Sequence, residues 1–305
     1  MTSPPASTSV NSSAIPAMQT RRLGRTDHQS TVAILGGAAF WNATPTQAEA
    51  GLRLAIDRGV NHLDIAPTYG AAEDVVGPYI PGVRDRLFIG AKTGRKNRDG
   101  VRAQFEATLT KLGVDSVDLY QAHGVTDLAD LDTRTDAFEA ILAARDEGLT
   151  RNVGITGHDL GAPRAHLEAL RRFDLDTVMF PVYPRVWADP QYRADAEALL
   201  AECAARDVGV MVIKAVAREP WGDTKKSHGT WYRPWTDPAA IQAGVGFALS
   251  TPGVHAFCTP GDLSLLPLAL DAAAAFETPD DGSRVSMMEE SLVQPLIFPL
   301  AGNAR

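Results

Sequence analysis

Residues Leu63–Gly70, which read LDIAPTYG, decide the fold of this chain. An apolar run leads into Asp64 and a Pro-Thr-Tyr-Gly turn follows it, so the stretch predicts a buried strand with Asp64 at its carboxyl end and Tyr69 on the next loop. Two later apolar runs end in the same way, the first at Lys92 and the second at His123. Active sites of parallel β/α folds lie at the carboxyl ends of the strands, so we expect these four side chains to meet there.

Strand and helix patterns alternate about eight times along the chain. The strand segments are short apolar runs, which are typical of parallel strands buried on both faces. The alternation predicts a (β/α)8 TIM barrel of the α/β class over residues 18–305, with an N-terminal hairpin at residues 21–31 and a C-terminal tail from residue 278. A doubly wound open sheet is the alternative, but such sheets usually carry a glycine-rich fingerprint after the first strand, which Gly36 and Gly37 do not form.

The two ends of the chain differ in composition from the rest. Residues 1–17 are rich in Ser, Thr, Pro and Ala and lack both a basic region and an apolar core, so we interpret them as a disordered extension and not as a signal peptide. The tail at residues 278–305 carries charge and proline. Its stretch at residues 293–300 is apolar enough to pack against the barrel, with the barrel mouth as one place for it.

Charge and cysteine content exclude several classes of protein. A formal net charge of −8 argues against non-specific binding to nucleic acid or to anionic membranes. No apolar run approaches membrane-spanning length. Cys203 and Cys258 are far apart in the sequence and indicate neither a disulfide framework nor a metal site. We therefore expect a cytoplasmic protein without metal, nucleic-acid or membrane partners, and the sequence leaves the oligomeric state open.

The four polar residues at the strand ends resemble, in order and spacing, the tetrad of the aldo-keto reductase family: Asp64, Tyr69, Lys92 and His123. Ala72 and Glu73 after the turn, and the stretch LGVDSVDLYQ at residues 112–121, are similar to the same family. The resemblance covers roughly residues 21–276. It implies a hydride transfer between a nicotinamide dinucleotide and a small-molecule aldehyde or ketone, or the matching alcohol.

Elementary electrostatics supports the roles that the resemblance implies. Carbonyl reduction needs a proton at oxygen, and Tyr69 is the candidate donor, or the base in the reverse direction. A phenol has a pKa of about 10, and a cation about 4 Å away lowers that value by about three units at an effective dielectric constant of about 20. Lys92 would be this cation, and Asp64 would keep it charged. His123 would bind and orient the substrate oxygen.

Two other functions remain open from the sequence. On the same barrel, Lys92 could form a Schiff base in a cofactor-independent lyase, aldolase or isomerase. The chain could instead be a dinucleotide-binding sensor module without turnover. Each tetrad residue taken alone also has a structural interpretation, such as a plain ion pair between Asp64 and Lys92 inside a barrel. All four in family order on three strand ends favour the enzyme.

The resemblance weakens at the cofactor site. In the family the fifth strand usually ends in Ser-Asn, which holds the carboxamide. This chain has Thr156, which can replace the serine, and Gly157, which cannot replace the asparagine, with His158 as a further candidate. Alignment on Tyr183 places Phe180 where the family usually has a glutamine.

The end of the seventh strand departs from the family in a similar way. Ile213 stands where the family usually has an aromatic residue that stacks on the nicotinamide. Lys214 resembles a bacterial branch that has Lys-Pro-Leu there, and Lys214 and Arg218 are candidates for contacts with a pyrophosphate. The alternative is a pair of solvent-exposed loop residues.

The last βα loop, residues 259–264, contains Gly261 and Asp262 but no basic residue. Members that bind NADPH place Lys or Arg there. Asp262 would repel a 2′-phosphate and could accept a hydrogen bond from a free 2′-hydroxyl, or it could be only the N-cap of the last helix. We expect NADPH as the cofactor, with Arg218 or the pair Lys225-Lys226 reaching the phosphate, and NADH as the alternative.

Aromatic residues predict the substrate pocket. The long loop at residues 219–238 carries Trp231 and Tyr232, and loops of this length are often functional. Trp41 after the first strand and Trp187 after the sixth are expected to face the same mouth. Such pockets suit sugars, steroids and aryl aldehydes alike.

Overall fold

The computed structural model describes residues 17–299. The extension predicted at residues 1–17 therefore lies outside the described residues, apart from Ala17. The strands of the described part are β1 (Thr20–Arg22), β2 (Gln29–Thr31), β3 (Ala33–Gly36), β4 (His62–Asp64), β5 (Phe88–Thr93), β6 (Val117–Val125), β7 (Thr150–Gly157), β8 (Thr177–Pro181), β9 (Gly209–Ile213), β10 (Ala217–Glu219), β11 (Arg233–Pro234) and β12 (Ala256–Cys258).

Eight of these strands close a parallel barrel in the order β12-β3-β4-β5-β6-β7-β8-β9. The (β/α)8 prediction is confirmed, and the alternative of an open doubly wound sheet is wrong. Asp64 pairs in register with Gly90, and Lys92 pairs with Gln121. The carboxyl ends of β4, β5 and β6 therefore lie side by side at one rim of the barrel.

Helices surround the barrel and follow most of its strands. They are α1 (Pro45–Asp57), α2 (Ala72–Val76), α3 (Arg98–Leu112), α4 (Leu128–Asp132), α5 (Thr135–Asp146), α6 (Ala162–Arg172), α7 (Pro184–Trp187), α8 (Pro190–Ala205), α9 (Pro238–Leu249), α10 (Leu266–Ala274) and α11 (Asp281–Ser291). Short 3-10 turns span Gly24–Thr26, Gly37–Phe40, Gly77–Gly82 and Arg84–Arg86.

Local sequence signals explain where these helices begin and end. Thr44 and Gln47 form a capping box at the start of α1, and Pro45 occupies its first turn. Gly113 ends α3 in the left-handed conformation (φ 63°), which a residue without a Cβ adopts at little cost.

The hydrophobic core has two parts. A small cluster inside the barrel includes Ile34, Met179 and Met211, and the larger cluster lies between the strands and the surrounding helices. The antiparallel pair β1–β2 closes the bottom of the barrel, and Leu23 from its connection is fully buried in the inner cluster. The predicted hairpin is therefore confirmed.

The C-terminal tail contains a helix, α11, that the sequence analysis did not predict. The Asp280 side chain caps it by accepting a hydrogen bond from the Ser283 amide. Arg284 lies over the ring of Phe247 in α9, with its guanidinium carbon 4.1 Å from the ring centroid. Ile297 is buried, so part of the apolar tail does pack on the barrel. Among the described residues, no helix combines the length and the hydropathy that a membrane span requires.

Candidate active site

The predicted tetrad meets at the carboxyl rim of the barrel. Asp64 ends β4, Lys92 lies near the end of β5 and His123 lies near the end of β6. Tyr69 reaches the same point from the loop after β4. Gly90 faces the barrel interior. Because side chains alternate along a strand, Lys92, two positions later, faces the interior as well.

A chain of polar contacts joins three of the four residues. The Lys92 ammonium donates a hydrogen bond to the Tyr69 hydroxyl over 3.1 Å and forms an ion pair with the Asp64 carboxylate. Lys92 and Asp64 are almost completely excluded from solvent. Because a buried pair is strongly destabilised when one partner is lost, the two charges hold each other in place.

The pKa of Tyr69 differs from the value that the sequence analysis predicts. Burial favours the neutral amine, but Asp64 and then Tyr69 outweigh it and raise the pKa of Lys92 above its usual range. Burial also raises the pKa of Tyr69 above its usual range, and the Lys92 ammonium opposes this only in part. The prediction that Lys92 brings the phenol to near neutrality is therefore wrong for this state, and Tyr69 keeps its proton at pH 7.

His123 is neutral and oriented from two sides. Burial, followed by the charge of Lys92, lowers the pKa of His123 well below its usual range. Its Nδ1 atom lies 3.2 Å from the Thr68 hydroxyl, and its ring meets the Tyr69 ring edge-on at a centroid distance of 5.5 Å. The Arg134 guanidinium donates a hydrogen bond to the His123 carbonyl oxygen over 3.2 Å.

A cavity of about 490 Å³ opens in front of these residues. Trp41 and Trp231 line it together with Tyr69 and His123, as the sequence predicts. The indoles of Trp41 and Trp231 meet edge-on at a centroid distance of 5.8 Å. This aromatic wall stands next to Tyr69 and His123.

The far end of the cavity is polar and was not predicted. It is lined by Lys96, Asp127, Asp130 and Arg134. Lys96 and Arg134 both form ion pairs with Asp130, at 2.7 Å and 3.0 Å. These residues lie on α4 and on the loops around it, and they carry no motif that would have marked them. Thr68 lies within the stretch at residues 63–70 that decides the fold. Its contact with His123 was not predicted, because this contact depends on the fold.

Two predicted pocket residues lie elsewhere. Trp187, at the end of α7, is buried and lines a separate cavity with Leu200 and Arg284 in the outer layer of helices, so its predicted place at the mouth is wrong. Helix α7, which ends at Trp187, packs against α8 and α11. Tyr232 is buried behind Trp231 and does not line the 490 Å³ cavity.

Comparison with known proteins agrees with this geometry. The model of the aldo/keto reductase family matches residues 33–238, which is most of the barrel. The chain belongs to the aldo/keto reductase family.

Similar proteins include bacterial members of this family. YqkF of Bacillus subtilis, described as an uncharacterized oxidoreductase, is 31% identical over 153 residues, which are 46% of this chain and 49% of that protein. The chain spans about half the length of the curated relatives it matches. The holo form of an aldo-keto reductase from Bacillus halodurans has a TM-score of 0.68 at 20% identity, covering 90% of this chain and 96% of that one. A Klebsiella pneumoniae aldo-keto reductase in complex with NADPH has a TM-score of 0.67 at 22% identity, covering 91% and 96%.

Members of this family use nicotinamide cofactors, and the end of β7 is where this chain departs from the expected carboxamide site. Thr156 is buried and accepts a hydrogen bond from the Gly124 amide over 3.2 Å, so it supports the site from behind and does not line the cavity. His158 does line the cavity. Its Nδ1 atom is buried without a hydrogen-bond partner among the described residues, which suits a polar ligand group.

Gly157 stands where the resemblance implies an asparagine, and its surroundings leave no room for a side chain. A Cβ atom at this position would lie 2.4 Å from Nε2 of His166 and 2.5 Å from the carbonyl oxygen of Val125. Both distances are shorter than real Cβ contacts, so no side chain fits beside these two residues.

Phe180, which the alignment on Tyr183 places at the glutamine position, does not face the barrel interior. Phe180 packs in the layer between barrel and helices, edge-on to His166 of α6 at a centroid distance of 6.4 Å. Its neighbour Met179 belongs to the cluster inside the barrel. Neighbouring strand residues face opposite sides, so a shift of one position exchanges the inner and the outer face.

Lys214 follows β9 and is buried under the long loop. Its ammonium lies 5.2 Å from the ring centroid of Trp231 and 4.9 Å from that of Tyr232. Within residues 17–299 it has no carboxylate partner, and burial lowers the pKa of Lys214 to about 8. A buried cation without a carboxylate suits an anionic ligand group. Arg218, in contrast, lies over Trp235 at 4.9 Å, next to Glu219, and does not line the cavity.

Asp262, predicted as a possible N-cap of the helix that follows its loop, is not one, because this helix, α10, begins at Leu266 with Leu265 at the capping position. Its carboxylate accepts a hydrogen bond from the Gly229 amide over 2.6 Å and two from the amide and hydroxyl of Ser264. Asp262 thereby ties the loop after β9 to the last βα loop. Gly261 lies beside it, and a Cβ there would contact Ala38 at 3.2 Å.

Proposed function

We propose that this chain is an NAD(P)-dependent oxidoreductase that transfers a hydride between a nicotinamide dinucleotide and an aldehyde or ketone, or the matching alcohol. The observation that carries the proposal is the contact chain from Asp64 through Lys92 to Tyr69, which ends in the same cavity as His123. Family membership over most of the barrel supports it.

The residues at the reacting end fit such a cofactor. His158 offers an unpaired buried nitrogen, and Lys214 offers a buried positive charge to the same end of the dinucleotide. When bound, the nicotinamide supplies the hydride. Side chains of the protein carry out the other steps, which are proton transfer and orientation of the substrate.

Tyr69 acts as the general acid at the substrate oxygen. It keeps its proton through neutral pH because burial raises the pKa of Tyr69, so the donor form is present when a carbonyl enters. As negative charge develops on the oxygen, the proton moves from Tyr69, and the ammonium of Lys92 at 3.1 Å stabilises the phenolate that remains. Asp64 keeps that ammonium charged.

His123 orients the carbonyl. Its ring is neutral, so one nitrogen donates and the other accepts. With Nδ1 directed at the Thr68 hydroxyl, Nε2 carries the proton and donates a hydrogen bond to the substrate oxygen. The indoles of Trp41 and Trp231 line the cavity beside the apolar part of the substrate.

We also propose NADPH as the preferred cofactor. The bond from Gly229 to Asp262 holds the tip of the long loop, with Lys225 and Lys226, next to the last βα loop. These lysines compensate there for the missing basic residue. A preference for NADH would instead leave Asp262 as the partner of a free ribose hydroxyl.

The Schiff-base alternative at Lys92 finds no support. A Schiff base needs a neutral amine, whereas the ion pair with Asp64 keeps Lys92 charged.

We further propose a cytoplasmic location, because both cysteines are free thiols, as expected in a reducing compartment.

The test is the oxidation of NADPH and NADH by the purified chain with a panel of aldehydes and ketones. Wild type should reduce at least part of the panel, with NADPH ahead of NADH. Tyr69→Phe should lower kcat by about 10²- to 10⁴-fold, which is the usual contribution of a general acid. Tyr79→Phe, a partly exposed tyrosine near Pro45, is the matched control and should keep wild-type activity. Unchanged reduction by Tyr69→Phe would refute the proposed mechanism.

A further inference from the structure

Strand β6 has an irregular end. Its register advances by three residues, from Ala122 to Val125. Over the same distance β7 advances by only two, from Ile155 to Gly157, so β6 contains one extra residue. That count defines a β-bulge, which is rare between parallel strands and over-represented next to active sites. His123, whose ring lines the cavity, lies inside the bulge.

The packing of β6 shows the same extra residue. Ala122 and Val125 both belong to the hydrophobic cluster outside the barrel, although residues three positions apart in a regular strand face opposite sides. Among the described strand residues, His123 and Gly124 are paired neither with β7 nor with β5, where the register ends with Ala122 opposite Thr93. The main-chain groups of the bulge therefore need side chains as partners, since main-chain polar groups away from water are almost always hydrogen-bonded.

Two side chains from different elements hold the peptide unit between His123 and Gly124. The Arg134 guanidinium donates a hydrogen bond to its carbonyl oxygen over 3.2 Å. The Thr156 hydroxyl accepts a hydrogen bond from its N–H, which belongs to Gly124, over 3.2 Å. Because a peptide unit is planar, a bond at its oxygen and a bond at its nitrogen fix the orientation of the whole plane. Gly124 continues from it with φ at 73°, which a residue without a Cβ adopts at little cost.

Both side chains are themselves held in place. Thr156 lies in β7 and is only 2% exposed. Arg134, which directly precedes α5, is 6% exposed and forms an ion pair with Asp130 at 3.0 Å. Asp130 also binds the Lys96 ammonium from the loop after β5 and accepts a hydrogen bond from the Thr126 amide in the loop after β6. The guanidinium that holds the bulge is thus fixed by a carboxylate that joins two loops of the rim.

We propose that Arg134 and Thr156 are positioning residues, which orient the ring of His123 in the cavity by fixing the peptide unit between His123 and Gly124. This inference rests on the proposed function, in which His123 orients the substrate carbonyl. Thr156 thereby acts in a role different from the carboxamide contact that the resemblance implies. A misplacement of an orienting group by about 1 Å can lower a rate about 10²-fold, so a looser bulge slows the reaction although no contact to the substrate is removed.

The test combines NMR of the ¹³C-histidine-labelled full chain with steady-state reduction of propanal by NADPH. The His123 signal is assigned through His123→Asn. Thr156→Val removes the hydroxyl and keeps the shape and charge, so the His123 signal should shift, and kcat should fall about 3- to 10-fold at unchanged KM, as expected for one hydrogen bond. Thr156→Ser keeps the hydroxyl and should restore both. Arg134→Met should lower kcat about 10-fold or more, because it removes a charged donor.

Matched controls separate positioning from a general loss of stability. Thr150→Val removes a hydroxyl bond to the Asn152 carbonyl oxygen at the opposite end of β7. Arg98→Met removes an ion pair with Glu139 between α3 and α5. Both variants should keep the wild-type kcat and the wild-type His123 signal.

Three results would overturn the proposal. One is a His123 signal that stays unchanged in Thr156→Val, and another is a shifted signal with wild-type kcat. The third is an Arg134→Met variant whose KM rises for longer aldehydes while kcat stays at the wild-type value, because Arg134 would then bind the substrate directly. The His123 signal is recorded without substrate or cofactor. If wild type reduces no carbonyl compound but the signal responds to Thr156→Val, the proposed function fails and the positioning of His123 is supported.

Discussion

The hydroxyl of Thr68 contacts one of the two ring nitrogens of His123. The imidazole is neutral, and its Nδ1 atom lies 3.2 Å from the Thr68 oxygen. We propose that this hydroxyl donates to Nδ1 and leaves the proton on Nε2, so that Thr68 acts as a positioning residue through His123.

Thr68→Val should lower kcat/KM for aldehyde reduction about 3- to 10-fold. The substitution keeps the shape and removes one hydrogen bond of about 1 kcal/mol, so both ring tautomers become populated. Steady-state kinetics measures the loss, and ¹⁵N NMR of the His123 ring should show the change of tautomer, which a structural role alone would not cause. Thr68→Ser keeps the hydroxyl and should behave as wild type. If the valine variant shows wild-type kinetics and the wild-type tautomer, this role of Thr68 is refuted.

The sequence predicts which residues meet but not how they are protonated. Asp64, Lys92 and His123 follow apolar runs, and parallel strands bring their carboxyl ends to one rim, so the tetrad could be located without coordinates. The pKa of Tyr69 depends on burial, and part of that burial comes from Trp231, about 160 positions further along the chain. A spacing pattern contains no information about such contacts.

At the level of elements, one carboxylate joins two loops. Asp262 accepts the Gly229 amide from the loop after β9 and also binds Ser264 in its own loop. Burial alone would raise the pKa of Asp262, but the hydrogen bonds from Ser264 and Gly229 hold this pKa below its usual range. The connection is therefore present throughout the neutral range.

Asp262→Ala should release the tip of the long loop. A hydrogen bond to a charged acceptor contributes about 1.5–3 kcal/mol, so amide exchange at residues 222–230 should become about 10- to 100-fold faster. Hydrogen–deuterium exchange with mass spectrometry measures this change. Ser264→Ala removes a hydroxyl bond to Asp262 but not the Gly229 contact, and it should leave the loop protected. Equal protection in the Asp262→Ala variant and in wild type would show that the carboxylate does not hold the loop.

Element boundaries show where sequence patterns stop being sufficient. A helical pattern extends over residues 263–276, but α10 spans only Leu266–Ala274, because Asp262 and Ser264 form a turn of their own first. Helix α11 was missed although Asp280 is a typical N-cap, since its amphipathic pattern is weak and its packing on α9 depends on distant residues.

For the whole molecule, buried histidines link stability to pH. Burial lowers the pKa of His166 to about 3 and that of three others well below the usual range: His62, His123 and His158. The unfolded chain takes up a proton at each near pH 6.5, and the folded chain does not. The free energy of unfolding should therefore fall below pH 6.5, by up to about 1.4 kcal/mol per pH unit for each histidine.

Urea unfolding at pH 7.5, 6.5 and 5.5 measures this dependence. The free energy of unfolding of His166→Gln should depend less steeply on pH than that of wild type. The difference should correspond to about one proton, because glutamine takes up no proton when the chain unfolds. His228→Gln, on the long loop outside the core, is the matched control and should keep the wild-type slope. A wild-type free energy of unfolding that stays constant from pH 7.5 to 5.5 would contradict the assignment of these rings as neutral in the folded protein.

The packing around Gly157 has a consequence for the history of this lineage. A side chain there would collide with His166 and also with the main chain of β6 at Val125. Asparagine at position 157 is therefore tolerated only if His166 becomes smaller and β6 shifts. The glycine and the histidine should for this reason be inherited together in related sequences.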